Sequence, residues 1–153
     1  MAANADSLAT WFVDAIAQAK AGLLYDVLID DQDHSTDWLA RGEVVAAISG
    51  KPSAIQGCNC MPLGVLRYVA TAAPDFVARW FTDGLTADAF AQAPSMVFNP
   101  KDRLQSGWVE ELLGQPVMMP THWLPSTHAF VDAALAGLGW GMNPEPLVKD
   151  HIA

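Results

Sequence analysis

The sequence is short of positive charge: eight lysines and arginines stand against seventeen aspartates and glutamates, a formal net charge of -9. So acidic a surface is repelled by phosphate backbones and anionic membranes, which argues against a chain that grips nucleic acid by itself. Long apolar runs are lacking too. The longest fall far short of the roughly 20 residues of a membrane span, and no basic stretch leads into an apolar one at the start. No membrane contact is expected, and the chain is placed in the cytoplasm. Cysteine is scarce, at two residues. Both lie in G-C-N-C-M-P, where a disulfide across one intervening residue is strained. The histidines His34, His122, His128 and His151 are scattered without ligand spacing. Cys58 and Cys60 therefore read as reduced thiols on one face of a strand, with no metal and no cofactor expected.

Catalytic signatures are also missing. The chain has no G-x-S-x-G elbow, no Walker loop and no dinucleotide fingerprint after a strand. G-L-G-W-G at 137–141 follows a helix where such a motif should open one. No nucleophile stands beside a base and an orienting third group, so an enzyme is not expected.

What is present is an alternation of elements. In 153 residues that are 52% apolar there is material for a real core. Leu8, Trp11, Phe12, Ala15, Ile16 and Ala19 recur at helical spacing, with Gly22 as a stop. The string L-L-Y-D-V-L-I-D at 23–30 reads as a strand, and an acidic turn then leads into a short helix around Trp38 that ends at Gly42. V-V-A-A-I-S at 44–49 is the next strand, so a parallel β-α-β order follows. An extended stretch at 60–72 precedes helices at 74–82 and 86–92, a strand at 95–98 and a helix near 102–113. Beyond these come a strand at 121–124, a second amphipathic helix at 126–139, a short strand at 140–144 and a last helix. Trp11, Trp38 and Trp80 sit at helical spacing among apolar neighbours, which points to packing rather than a stacking platform. The architecture read from this order is α/β with two lobes.

Several blocks then stand in an order that resembles the LysR-type transcriptional regulators: N-A-D-S-L-A-T-W-F, D-D-Q-D-H, R-G-E-V-V-A-A-I-S, Q-G-C, P-L-G-V-L-R-Y, A-R-W-F-T-D-G-L-T, A-P-S-M-V-F-N-P-K-D and S-T-H-A-F-V-D-A-A-L-A-G-L-G-W-G-M-N-P. The match is nearest to the branch linked to lysine and arginine export, and it runs over nearly the whole chain. It covers the effector-binding domain, which implies a two-lobed, periplasmic-binding-protein-like fold. Residues 1–69 with 145–153 are expected to form lobe I, and 70–144 lobe II. The resemblance also implies truncation at both ends: the strand before the first helix, and a strand and helix after Val148, lack counterparts. The family reaches DNA through a helix-turn-helix that is likewise without one here. Parallel sheets missing strands expose apolar edges, so a homodimer or higher oligomer is expected.

The residues suggest a pocket by themselves. A helix start leaves backbone N–H groups unpaired and carries partial positive charge, which suits an anion. Ser7 with Asp6 and Thr10 opens the first such helix, and Ser126, Thr127 and His128 open the second. Ligands in open α/β sheets sit outside the carboxyl ends of the strands. Asp31 and Asp33 follow the second strand there, and Ser49 ends the third. A carboxylate at one end of a pocket and helix starts at the other suit a zwitterion with a cationic side chain, such as lysine or arginine. The plainer reading is that the hydroxyls cap their own helices, the aspartates cap or stay solvated, and His128 faces water. The resemblance favours binding, because the family's pockets use polar residues at these places.

Overall fold

The computed structural model describes residues 1–19, 22–31 and 34–152. The chain divides into two compact units, Met1–Leu66 and Arg67–Ala153. This boundary leaves residues 67–69 and 145–153 with the second unit. The tail is held there by Glu145, whose N–H donates to the Arg67 carbonyl at 2.9 Å, and by buried Val148.

The first unit is built around a strand of two residues, β1 (Ala2–Ala3), buried completely. Its neighbour β2 (Leu28–Ile29) runs parallel in the register Ala2 to Leu28 and Ala3 to Ile29. On the other side Ala47 bridges Ala2, also in parallel, with the Ala2 N–H on the Ala46 carbonyl and the Ile48 N–H on the Ala2 carbonyl, both 2.9 Å. The expected parallel order is present, but the strands are shorter than their sequences suggest. Residues 23–27 form no strand, their link to the chain start being the Asp26 carbonyl, which accepts from the Met1 ammonium, and 44–49 contribute one bridge. A strand lasts only as long as its partner's ladder, and β1 offers two residues.

The helical run after β1 is continuous from α1 (Ala5–Ser7) through a π-helical segment (Leu8–Phe12) into α2 (Val13–Ala17). Phe12 is its buried anchor. The helix α3 (Ser35–Ala40) is followed by Gly42, whose φ of 70° is one that glycine adopts without steric cost.

The second unit holds β3 (Tyr68–Thr71), α4 (Pro74–Trp80), α5 (Ala87–Phe90), β4 (Ser95–Val97), α6 (Leu104–Leu113), β5 (Thr121–Trp123), α7 (Thr127–Leu135), β6 (Gly141–Pro144) and α8 (Glu145–Val148). Strands β4 and β5 are parallel, and β3 and β6 are antiparallel, with Tyr68 opposite Pro144. A parallel bridge from Ser95 to Trp140 joins the pairs into the order β5, β4, β6, β3. One face of this sheet packs Phe76, Phe90, Ala93, Val109, Trp140 and Met142, and a smaller cluster joins Met96, Phe130 and Ala134. Gly139 passes so near β4 that a Cβ there would lie 2.9 Å from the Pro94 carbonyl oxygen. No described helix is long and apolar enough to cross a membrane.

Candidate functional site

Three chain segments of the first unit emerge at one edge of its sheet, because β1, β2 and the bridge at Ala47 are all parallel. Asn4 leaves β1, Asp30 and Asp31 leave β2, and Ser49 follows Ile48. Polar groups expected from separate parts of the sequence therefore share the carboxyl edge, where α/β sheets bind ligands. Asp33 lies outside the described residues.

The helix opening differs from expectation. Ser7 does not begin it: Asn4 is the cap, with extended backbone and its side-chain oxygen accepting the Ser7 N–H at 3.1 Å. An asparagine at this position satisfies one of the orphan donors of the first turn. Ser7 is buried, and the Thr10 hydroxyl donates to the Asp6 carbonyl at 2.7 Å. Asp6, Ser7 and Thr10 thus line the first turns of one helix, with Thr10 using its proton within the helix.

In the acidic turn the two described aspartates do different work. The Asp30 carboxylate accepts the Asp31 N–H and the Trp38 indole N–H, both at 2.8 Å, which fixes it as a structural brace. Asp31 uses its carbonyl, accepting the Ser35 hydroxyl and N–H at 2.9 Å each, to start α3. Ser49 Oγ accepts the Lys51 N–H at 3.0 Å; the strand expected to end at Ser49 is a single bridge at Ala47, two residues earlier. Lys51 was missed by sequence reasoning. Its ammonium donates to Thr36 Oγ1 at 3.2 Å and brings a cation to this edge. No spacing rule links a loop lysine to a helix fifteen residues earlier.

In the second unit α6 and α7 both begin at the carboxyl edge of β4 and β5. Asp102 fixes the first turn, accepting the Phe98 and Leu104 N–H groups at 3.0 and 2.9 Å. Ser126 is the cap of α7, as its type suggests, with Oγ accepting the Ala129 N–H at 3.3 Å. Thr127 is buried, and Ser126 and His128 are exposed. Asn143, 0% exposed in β6, donates from Nδ2 to Thr71 Oγ1 at 2.7 Å, and its Oδ1 meets no donor among the described residues. It shares a face with Gly141, where a Cβ would lie 3.4 Å from the Phe130 ring of α7. Asn143 was also missed, although a polar residue inside W-G-M-N-P is a legible oddity.

The thiols are placed differently from expectation. Cys58 and Cys60 are free and lie in an irregular segment rather than a strand. No group of three or more histidines, cysteines or carboxylates could hold a metal among the described residues.

The LysR substrate binding domain family matches residues 5–153. The chain is 43% identical over 153 residues to the transcriptional regulator LysG of Mycobacterium tuberculosis, covering 100% of this chain and 50% of that protein. It thus spans about half the length of the curated relatives it matches. The C-terminal domains of a LysR family protein from Agrobacterium tumefaciens superpose with a TM-score of 0.92 at 55% identity, over 98% of this chain and 73% of that one. Full-length LysG of Corynebacterium glutamicum, solved with bound effector Arg, superposes at 0.83 with 32% identity, over 97% of this chain and 52% of that one.

Proposed function

From the premise that the chain belongs to the LysR substrate-binding domain family, we propose that it is an effector sensor for a basic amino acid, lysine or arginine. The observation that carries this reading is the arginine bound to the C. glutamicum relative. The polar carboxyl edges of the two units supply the chemistry it needs. Asp31 offers a carboxylate for an ammonium or guanidinium, and Lys51 and the starts of the first helix and α7 offer partners for an α-carboxylate. Ser7, Asp6, Thr10, Asp31, Asp33 and Ser49 are the candidate effector contacts in the first unit, and Ser126, Thr127 and His128 those in the second. Binding is reported by a shift toward whichever state of the domain the effector prefers, as linkage requires.

The relatives are transcriptional regulators, so no turnover of the bound amino acid is proposed. DNA contact is assigned to a helix-turn-helix rather than to the substrate-binding domain, and the location is the cytoplasm, where such regulators work. Calorimetric titration with L-lysine, L-arginine and L-leucine tests the reading. Saturable heat with the basic pair and none with leucine supports it. Equal heat with all three, or none with the basic pair, overturns it.

A further inference from the structure

The first helical run changes its turn part-way along, and the burial of its side chains records the change. Between residues 4 and 17 the buried positions are Asn4, Ser7 and Phe12, with Ile16 half-buried. The step from Ser7 to Phe12 is five residues, outside the three-and-four rhythm by which an α-helix repeats one face. At 3.6 residues per turn, side chains five apart point about 140° away from each other. The π-helical segment Leu8–Phe12 removes the conflict, because an N–H bonded to the carbonyl five residues back closes a wider turn and sets Phe12 over Ser7.

The apolar periodicity favours another register. Leu8, Phe12 and Ile16 recur every four residues, and an uninterrupted α-helix anchored at Phe12 turns Leu8 inward. Here Leu8 is half-buried, and the inward place goes to Ser7, at 5% exposure. Apolar burial is thus given up at the turn that carries Asp6 and Ser7. One bond favours the wider turn. The Thr10 hydroxyl donates to the Asp6 carbonyl at 2.7 Å and lies 3.5 Å from the Ser7 carbonyl. The Asp6 carbonyl is the one that the Thr10 N–H takes in an α-helix, so the hydroxyl competes with that bond, and back-bonding of this kind loosens the ladder.

We propose that Thr10 is a positioning residue of the effector site, whose hydroxyl holds the wide turn that directs Ser7 inward. Its proton is committed to the Asp6 carbonyl, so Thr10 acts on the site through the helix. Without the hydroxyl the segment closes to the α register, Leu8 takes the inward place, and the turn bearing Asp6 and Ser7 rotates by about 100°, one residue's share of a turn. The consequence for binding rests on the effector reading above; the register itself does not.

Thiol labelling tests the register without any effector. In a chain carrying Cys58→Ser and Cys60→Ser, the thiol introduced by Ser7→Cys is expected to react slowly. Adding Thr10→Val is expected to speed the reaction about tenfold or more, and adding Thr10→Ser, which keeps the hydroxyl, to leave it unchanged. The urea midpoint of the Thr10→Val chain is expected to be no lower than that of its parent, because the α register buries Leu8. Equal labelling in the valine and serine variants, or faster labelling with a lower midpoint, overturns the proposal. With Ser7 native, the affinity for L-arginine is expected to fall about tenfold in Thr10→Val, the scale of one lost hydrogen bond, and to be retained in Thr10→Ser. Full affinity in Thr10→Val overturns the positioning role. Absence of L-arginine binding in the parent overturns the effector reading, and the labelling comparison still decides the register.

Discussion

At the scale of single residues, the polar side chains sort by whether their hydrogen bonds are already used. Gln105 is 1% exposed, and both of its amide atoms lack partners among the described residues. A buried unsatisfied group costs about 1–3 kcal/mol, whereas an apolar side chain of similar shape carries no such penalty. Gln105→Met is therefore expected to raise stability by about 1 kcal/mol, read as a higher urea midpoint at unchanged slope. Asn4 shows the opposite case, because its oxygen caps the first helix. Asn4→Ala should cost about 1 kcal/mol, and Asn4→Asp, which keeps the acceptor, should cost far less. The cap at Ser126 was legible from residue type, since Ser before an apolar periodic run carries that signal. The cap at Asn4 was read one turn too late because Ser7 is an equally good cap by type. Only the backbone, extended at Asn4 and helical at Ser7, separates them.

At the scale of elements, the second unit was more legible than the first: the strands expected at 95–98, 121–124 and 140–144 appear as β4, β5 and β6 within a residue at either end. The runs at 74–82, 102–113 and 126–139 appear as α4, α6 and α7 with trimmed ends, because their periodicity is a property of one segment. The strand expected at 23–30 shrinks to β2, because pairing belongs to two segments and the partner lies at the chain start. Glycines divide by the same logic of neighbours. Gly139 packs against the Pro94 carbonyl and Met96 Cγ at 2.9 and 3.0 Å from an added Cβ, so Gly139→Ala should destabilise by about 1–3 kcal/mol through overpacking between the β6 approach and β4. Gly107 lies exposed within α6 with nothing within 4 Å of an added Cβ. Gly107→Ala should stabilise by about 0.5–1 kcal/mol through helix propensity. Thermal melts of the two variants, moving in opposite directions, check both.

At the scale of the whole molecule, the first unit keeps much apolar surface in contact with water. Leu24, Val45 and Val65 are almost fully exposed, and Leu23, Met61 and Leu63 are more than half exposed. Patches of this kind mark surfaces that another chain or segment covers. Self-association is proposed on this ground, and sedimentation velocity should show a concentration-dependent dimer or larger species that Leu24→Lys with Val65→Lys shifts toward monomer. A sedimentation coefficient that stays monomeric in the parent at high concentration removes the proposal. Of the candidate pocket, the chemistry of single residues was legible, and so was the carboxyl edge on which Asp31 and Ser49 lie. The contribution of Lys51 was not, because its contact with Thr36 exists only once α3 and the loop after Ile48 lie side by side.

The aromatic packing of the second unit has an optical consequence. Trp108 and Trp140 lie with ring centroids 5.6 Å apart, and Phe90 meets Trp108 edge-on at 6.0 Å and Trp140 at a tilt at 5.2 Å. Indoles so close and so fixed couple their electronic transitions, so near-ultraviolet circular dichroism should carry a strong contribution from this pair. Loss of that contribution reports the melting of the unit's core. The chain thus carries a built-in optical reporter of this packing, whose loss on heating or in urea can be timed without any label.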